Sequence, residues 1–331
     1  MKYIIGVDGG NTKTDYFLFN TEGLFIDFLR AGTCSHEALS DSFLGSKREM
    51  KKVFDVLLGR NKLKPSDISF SVFGLAGCDI QSQKENLEKV ISELGFINFI
   101  VCNDSVLGIK AYSETGACSI CGTGTVASGV GLDGNYLQVG GIGEIVGDEA
   151  GGRYLARRAI RKTFDYLFRF GKKSKINDIV MDELGISSKF DFMEAYVAKS
   201  RTINYNRITK EVFNYANLND EVCIDLLKEM ADNLARSAGG VVMNLDLGDK
   251  PTIILAGSVY AKGASPILVQ EFKKRINDFT KKDCCAIIMS VPPATGAIIW
   301  ALEKSLGMYP NSDMRNKVID QVKAKLEEIE G

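Results

Sequence analysis

The chain has 331 residues, enough for two domains that each bury their own hydrophobic core. Hydrophobic residues make up 45% and charged residues 25% of the sequence, as in an ordinary globular enzyme. The 41 Lys and Arg residues nearly balance the 42 Asp and Glu residues, giving a net charge of -1. This balance argues against a basic surface for nucleic acid, so we expect no nucleic-acid partner.

The amino-terminal segment does not have the pattern of a signal peptide, because the short apolar run 1–7 meets Asp8 at once. No run approaches the roughly 18 apolar residues that span a bilayer, so we expect a cytoplasmic protein with no membrane partner. Eight cysteines in such a chain predict reduced thiols. Cys118 and Cys121 form a C-x-x-C in a predicted strand, which favours burial and leaves a redox or metal role as the alternative.

The first third of the chain predicts three strands, at 3–7, 12–20 and 24–30, joined by glycine-containing turns. Such a start predicts an antiparallel meander and differs from a Rossmann fold, whose first strand leads into a helix. Helices and strands then alternate, with helices at 40–58, at 81–94 and after Asp104 to about residue 112, and strands at 68–73 and 96–102.

The same order of strand, glycine turn, strand, hairpin and strand begins again near residue 117. Helical spacing of apolar residues covers most of 150–245. The remaining predictions are strands at 252–255 and 286–289 and helices at 266–279, from residue 294, and at 313–329. The sequence therefore predicts two related α/β domains, 1–115 and 116–331. The second carries a helical insertion, and its last helices are able to pack back on the first domain.

Two glycine-rich turns occupy equivalent places in these domains. The first is DGGNTKT at residues 8–14, where the glycines let backbone N–H groups approach phosphate oxygens. Thr12 and Lys13 can add donors and positive charge, and Asp8 can hold Mg²⁺ through water. The second turn is CGTGT at residues 121–125, and the two could grip a triphosphate across a cleft. The alternative is a pair of ordinary turns between strands.

Three further segments can carry ligand contacts. Asp104 follows an apolar strand in the tripeptide NDS, where a carboxylate can act as a base or simply cap the next helix. Asp148 and Glu149 end a glycine-rich stretch and can accept hydrogen bonds from sugar hydroxyls, or favour a helix start. The turn LAGSV at 255–259 can admit an adenosine against backbone, a weak signal on its own. His36, the single histidine, is more typical of packing.

These motifs in this order resemble the sugar kinase, Hsp70 and actin superfamily, specifically its N-acetylglucosamine kinase and BadF/BadG/BcrA/BcrD-type ATPase branch. The resemblance covers residues 3–305. It implies an α/β fold of two ribonuclease H-like (actin-like ATPase) domains with an interdomain cleft. It also implies ATP and Mg²⁺ as cofactors, and phosphorylation of the 6-hydroxyl of an amino sugar.

The resemblance implies roles for individual residues. Asp8 would organise Mg²⁺, and Asp104 would be the catalytic base for the sugar hydroxyl. The residues implied in ATP binding are Thr12, Lys13, Thr123, Gly124, Ala216, Gly257, Ser258 and Lys262. The residues implied in sugar binding are Ser35, His36, Asp104, Gly141, Ile142, Gly143 and Asp148.

The sugar pocket differs from the family pattern at two positions. Animal N-acetylglucosamine kinases have Asn in place of Ser35 and Trp in place of Ile142. Loss of an amide and an indole would enlarge the pocket. The substrate implied is therefore N-acetylglucosamine, with N-acetylmuramic acid as a bulkier candidate.

The same branch contains ATP-driven activators of dehydratases, which carry an iron–sulfur cluster between exposed cysteines at a dimer interface. That activity is the alternative to a kinase. The helical region 150–245 and the GGIGEIVGDE stretch favour a substrate domain over a cluster. The resemblance also implies a homodimer.

Overall fold

The computed structural model describes residues 2–263 and 265–330. Ten strands are present in this part of the chain: β1 (Tyr3–Gly9), β2 (Lys13–Asn20), β3 (Phe25–Gly32), β4 (Ile68–Leu75), β5 (Phe99–Cys102), β6 (Gly116–Cys121), β7 (Thr125–Val130), β8 (Tyr136–Gly140), β9 (Thr252–Ala256) and β10 (Cys285–Ile288). The α-helices are α1 (Ser42–Arg60), α2 (Gln81–Glu93), α3 (Ser105–Tyr112), α4 (Gly152–Phe168), α5 (Ile176–Leu184), α6 (Phe192–Lys199), α7 (Tyr205–Asn217), α8 (Glu221–Asn244), α9 (Ser258–Lys262), α10 (Pro266–Thr280), α11 (Ala294–Leu306) and α12 (Ser312–Glu330).

The chain forms two compact units, each built on a five-stranded mixed sheet. The strand orders are β3-β2-β1-β4-β5 and β8-β7-β6-β9-β10. The second order is the first with every strand number raised by five. The repeated pattern of strands and turns that the sequence predicted is therefore confirmed as a repeated sheet topology.

Unit 1 contains residues 1–116 and 290–331. Its β1, β2 and β3 form the predicted antiparallel meander, and β4 and β5 run parallel to β1. Ile4, Ile5 and Val7 are fully buried because both faces of β1 are covered. Gly6 lies against α11, where a side chain would collide with Ile298, so glycine allows this close approach.

The core of unit 1 is rich in aromatic side chains. Tyr16 meets Phe54 edge to face with ring centroids 5.3 Å apart, and Phe54 meets Phe96 at 4.8 Å. Phe73 of β4 contacts both Phe54 and Phe96. These contacts fix α1 and the β4–β5 pair on one face of the sheet, since aromatic pairs prefer such geometry.

The last part of the chain belongs to unit 1. The sequence assigned 116–331 to the second domain, with its last helices returning to the first; in the structure the return begins at Ser290. The reason is packing, because α11 lies on β1 and β4. The charged helix α12 caps β3, as its Gln321 side chain accepts from the Phe25 N–H at 2.8 Å. Val318 and Val322 are its fully buried positions.

Unit 2 contains residues 117–289. Its sheet is covered by the predicted helical region, now seen as α4–α8, together with α10. The long helix α8 buries an apolar stripe that includes Leu227, Leu234 and Val241. Cys118 and Cys121 are fully buried in β6, so the predicted burial of this C-x-x-C is confirmed. In the described part of the chain, no helix combines the length and apolar character that a membrane span needs.

Candidate functional site

Asp8 and Asp104 lie at the same edge of the unit 1 sheet. The strands β1, β4 and β5 are parallel, so their carboxyl ends share an edge. Asp8 pairs in register with Gly74, and Gly74 pairs with Cys102, two residues before Asp104. Neighbouring strands lie about 4.8 Å apart and β4 lies between β1 and β5, so the ends of β1 and β5 are roughly 10 Å apart across the sheet. Two carboxylates that are distant in sequence therefore become neighbours.

The environment of Asp8 disfavours its negative charge. Burial, followed by the charges of Asp104 and Asp15, raises its pKa from 3.8 to about 7. The Lys13 ammonium and the backbone N–H of Ala294, the first residue of α11, act in the opposite direction. A carboxylate in such surroundings gains stability from any added cation.

Asp15, the other carboxylate near Asp8, is paired with Arg30. It lies opposite Asp8 in the β1–β2 register and opposite Arg30 in the β2–β3 register. The Arg30 guanidinium donates to both Asp15 oxygens, at 2.6 and 2.9 Å. The buried Asp15 is therefore neutralised by a bidentate ion pair, which no local pattern in the sequence indicates.

The Asp104 side chain is not used to cap α3, although the residue occupies the N-cap position. Its neighbour Asn103 performs that task, since the Ser105 N–H donates to Asn103 Oδ1 at 2.9 Å. Burial and then the charge of Asp79 raise the pKa of Asp104 from 3.8 to about 6, with backbone N–H groups partly offsetting them. Near neutral pH the group is mostly an ionised base.

The β1–β2 turn is tied to the segment that follows β3. Gly10 N–H donates to the Lys13 carbonyl at 3.0 Å, closing the turn around exposed residues. The Thr33 hydroxyl donates to the Gly10 carbonyl at 2.9 Å. Cys34 N–H donates to the Thr14 hydroxyl at 3.2 Å. Because Thr33 and Cys34 are held by this turn, Ser35 and His36, which follow them in the chain, lie near it.

Ser35 and His36 are buried, and each has a polar side-chain atom that no other described residue satisfies. Ser35 Oγ and His36 Nδ1 have no hydrogen-bond partner among the described residues. His36 stacks on Phe43 with ring centroids 4.3 Å apart and lies close to Gly77, and burial lowers its pKa. Because buried polar atoms are nearly always paired, a ligand or water is expected to satisfy these two.

In unit 2 the β6–β7 turn meets the start of α4. Gly152 N–H donates to the Gly122 carbonyl at 2.8 Å, and Arg153 N–H donates to the Thr123 carbonyl at 3.2 Å. Thr123 and Gly124 are exposed. A Cβ on Gly122 or Gly124 would meet nothing within 4 Å among the described residues, so their surface is open. The start of α4 therefore holds the turn by hydrogen bonds, and the opposite side of the turn is exposed to solvent.

The β9–α9 turn lies beside the β6–β7 turn. Gly257 has φ of +99°, and a Cβ there would lie 2.5 Å from the Cys121 carbonyl oxygen. Only glycine allows this approach in this backbone conformation. Ser258, the first residue of α9, is exposed. The CGTGT and LAGSV segments therefore form one surface of unit 2.

Lys262 and Ala216, both expected near the nucleoside, differ in their exposure to solvent. Lys262 is exposed at the end of α9, whereas Ala216 is buried in the helical core. The following Gly263 packs against the ring of Phe213, which is on the same helix as Ala216. The structure thus brings α7 to the end of α9, and the Ala216 methyl group itself faces the core.

The loop after β8 is organised by Asp148. Its Oδ1 accepts the Gly141 N–H at 2.9 Å and its Oδ2 accepts the Gly143 N–H at 2.5 Å. Between these glycines Ile142 is 67% exposed. The Glu144 carboxylate of the same loop pairs with Arg157 of α4. Asp148 therefore holds the loop that presents Ile142, a relationship visible only in the structure.

Metal ligands were predicted only at Asp8. Among the described residues, no group of three or more His, Cys, Asp or Glu side chains is arranged to hold a metal ion. A metal at Asp8 would therefore need most of its ligands from water and nucleotide. Mg²⁺ meets that requirement, because it usually retains several waters and is bound by one or two carboxylates together with phosphates.

Comparison with known proteins gives a consistent result. Residues 5–301 match the BadF/BadG/BcrA/BcrD ATPase family. An N-acetylmuramic acid/N-acetylglucosamine kinase of Clostridium acetobutylicum is 28% identical, covering 91% of this chain and 98% of the relative. An N-acetyl-D-glucosamine kinase of Dictyostelium discoideum is 22% identical, covering 90% of this chain and 97% of the relative.

The fold is also found among solved structures. A candidate N-acetylglucosamine kinase from Chromobacterium violaceum superimposes with a TM-score of 0.61 at 22% identity, covering 91% of this chain and 99% of that one. The expected α/β fold class, two ribonuclease H-like (actin-like ATPase) domains, is confirmed by this likeness together with the two mixed sheets.

Proposed function

This chain belongs to the BadF/BadG/BcrA/BcrD ATPase family, and we propose that it is an ATP-dependent amino-sugar kinase acting on the 6-hydroxyl of its substrate. The observation that carries the proposal is the pair Asp8 and Asp104 at one edge of the unit 1 sheet. One carboxylate is suited to a cation, and the other is suited to act as a base. Phosphoryl transfer to an alcohol uses a divalent cation to neutralise phosphate charge, and a positioned base accelerates it.

The surroundings of Asp8 fit Mg²⁺. Burial is the largest cause of its raised pKa, and the negative charges of Asp104 and Asp15 add to it. A bound cation would therefore stabilise the ionised Asp8 carboxylate. When bound with ATP, Mg²⁺ would neutralise phosphate charge. Asp8 would hold it through water, and Thr12 and Lys13 in the adjoining turn would contact the phosphates.

The unit 2 surface suits the nucleotide. Thr123 and Gly124 expose backbone in a turn with open space in front of its glycines. We assign the phosphates to this turn and the nucleoside to Gly257, Ser258 and Lys262 beside it. Ala216 can contribute only through its helix, since its methyl group is buried.

The acceptor sugar is assigned to Ser35, His36 and Asp104 from the first domain. Ser35 Oγ and His36 Nδ1 are buried and have no hydrogen-bond partner in the described part of the chain, and sugar hydroxyls would supply partners. Gly141, Ile142, Gly143 and Asp148 of the loop after β8 are further proposed sugar contacts. Asp104 then accepts the proton of the 6-hydroxyl as that oxygen attacks the terminal phosphate.

The proposed substrate is N-acetylglucosamine, with N-acetylmuramic acid also accepted. The kinase of Clostridium acetobutylicum is described by its name as acting on both sugars. Serine at position 35 and isoleucine at position 142 leave more room than the amide and indole that the family resemblance leads one to expect. Space beside the sugar would accommodate a lactyl ether.

A cluster-carrying activator of a dehydratase is disfavoured by the cysteines. All eight lie in the described residues, and Cys285 alone is exposed. A cluster shared between two copies requires more than one accessible thiolate per chain. The purified protein should therefore lack visible absorbance when it is prepared without oxygen.

The expected homodimer is also a proposal. Helix α6 and the residues before it expose apolar side chains, with Phe190 at 80%, Met193 at 62% and Val197 at 79% exposure. A second copy would remove such side chains from water. Light scattering of the purified chain measures its mass and would contradict the dimer if it gave 36.3 kDa.

ADP release tests the proposed activity directly. The acceptors are glucose, glucosamine, N-acetylglucosamine and N-acetylmuramic acid, each with Mg²⁺ and ATP. We expect turnover with the two N-acetylated sugars well above that with glucose. Equal rates with and without sugar, or no preference for amino sugars, would contradict the proposal.

A further inference from the structure

The turn after β5 contains a buried side chain that the proposed reaction leaves unassigned. Asn103 is 5% exposed and precedes Asp104. Its Nδ2 donates to Asp79 Oδ1 at 2.7 Å, while its Oδ1 accepts the Ser105 N–H at 2.9 Å. One carboxamide therefore joins two separate parts of unit 1.

The first part is the turn between β4 and α2. Asp79 lies there and is itself fixed, because its backbone N–H donates to the Gln83 side chain at 2.9 Å. The Gln83 oxygen also accepts the Ile80 N–H at 3.0 Å at the start of α2. Asp79 thus offers Asn103 an anchored acceptor in the turn that follows the neighbouring parallel strand β4.

The second part is the first turn of α3. A helix start leaves N–H groups that a nearby side chain usually satisfies, and aspartate at the N-cap position often does so. Here Asn103 supplies the acceptor, and Asp104 makes no capping hydrogen bond within the described chain. Asn103 therefore caps the helix, and the Asp104 carboxylate is available for proton transfer.

We propose that Asn103 is a positioning residue: its carboxamide links the β4–α2 turn to α3 and thereby orients the Asp104 carboxylate for the acceptor hydroxyl. This inference rests on the proposed function, in which Asp104 is the base. Asn103 itself is mostly buried and acts through Asp104. Small displacements of a base are costly, since a shift of about 1 Å can lower a rate roughly 100-fold.

A donor–acceptor exchange tests the proposal. In Asn103→Asp two carboxylates face each other, and we expect kcat with N-acetylglucosamine to fall roughly 10- to 100-fold, while KM for ATP stays within about twofold. Adding Asp79→Asn restores one donor and one acceptor. The double variant should recover kcat to within about fivefold of wild type.

Asn98→Asp is the matched control, because Asn98 precedes β5 as Asn103 follows it, and its Nδ2 donates to the Ser69 carbonyl at 3.3 Å. This exposed change should leave kcat unaltered. Thermal unfolding of each variant separates folding from catalysis. A kcat loss that merely follows the unfolded fraction, or a double variant as slow as Asn103→Asp, would overturn the proposal.

A measurement without substrate separates this inference from the proposed function. Hydrogen exchange at the Ser105 amide should be slow in the wild type and at least about tenfold faster in Asn103→Ala, because the Asn103 Oδ1 acceptor at 2.9 Å is lost. Unchanged exchange would refute the capping role. Full activity of Asp104→Asn would instead refute Asp104 as base and leave the Ser105 result standing.

Discussion

The carboxylate of Asp8 lies against the backbone N–H of Ala294, which begins α11 near the far end of the chain. The contact is possible because α11 packs on β1, where Gly6 leaves room for Ile298. Helix α11 thus places a partial positive charge beside a carboxylate that is otherwise surrounded by negative charge.

Replacing Asp8 by asparagine should stabilise the metal-free protein while abolishing Mg²⁺-dependent turnover. Its folded pKa of about 7 exceeds the ordinary 3.8, so the folded state loses stability as pH rises between these values. At pH 7.5 we expect a gain of roughly 1–3 kcal/mol for Asp8→Asn, measured by denaturant unfolding with EDTA. At pH 3.5 the gain should vanish. A less stable variant at pH 7.5 would contradict this account.

Turnover should depend on an ionised Asp104. The pKa of this group is about 6, raised by burial and by Asp79, so kcat should be constant above pH 7. Below pH 6 it should fall about tenfold per pH unit. Asp104→Asn should lower kcat roughly 100- to 10,000-fold with little change in ATP binding. The checks are steady-state rates from pH 5 to 8 and calorimetric titration with a non-hydrolysable ATP analogue.

The Asp148 carboxylate should matter for sugar affinity. In Asp148→Asn one of the two acceptors becomes a donor and faces a backbone N–H of the 141–143 loop. We expect KM for the sugar to rise about tenfold or more, because the loop loses its fixed geometry. KM for ATP should change less than twofold. Asp246→Asn is the control, because this exposed carboxylate accepts the Gly248 N–H of another loop at 3.1 Å, and equal effects of both changes would argue against a specific role.

Two glycines of unit 2 should respond differently to alanine. At Gly257 the positive φ and the Cys121 carbonyl leave no room for a Cβ, so Gly257→Ala should destabilise the protein by roughly 2–4 kcal/mol and weaken ATP binding. At Gly124 a Cβ meets nothing within 4 Å in the described chain. Gly124→Ala should therefore keep its melting temperature. Similar losses of stability in both variants would contradict this difference.

The buried ion pair of Lys110 and Glu303 should be more important for stability than for chemistry. The two groups are 2.8 Å apart, and they join α3 to α11. Lys110→Met leaves the buried Glu303 carboxylate with Lys304, at 3.4 Å, as its one cationic partner among the described residues, and should cost roughly 2–4 kcal/mol. Adding Glu303→Leu should recover most of the loss, since apolar side chains can replace a buried pair. Urea unfolding of the single and double variants measures both effects.

Local patterns in the sequence were sufficient to predict the elements and the repeat. Apolar runs bounded by glycine turns predicted the meander that begins at Tyr3 and its repetition near Ala117, because turn chemistry and side-chain periodicity act over a few residues. Resemblance supplied the family and the fold. The roles of Asp8, Asp104 and the two glycine turns remain proposals.

Relationships between distant residues required the tertiary structure. The sequence gives no sign that Asp15 is neutralised by Arg30, that Asn103 caps α3 in place of Asp104, or that Asp148 binds the N–H groups of its own loop. Each depends on strand register or on packing between elements. Charges and hydrogen bonds act between groups that are close in space. The pKa of a side chain and its hydrogen-bond partners are therefore determined only once the sheets have formed.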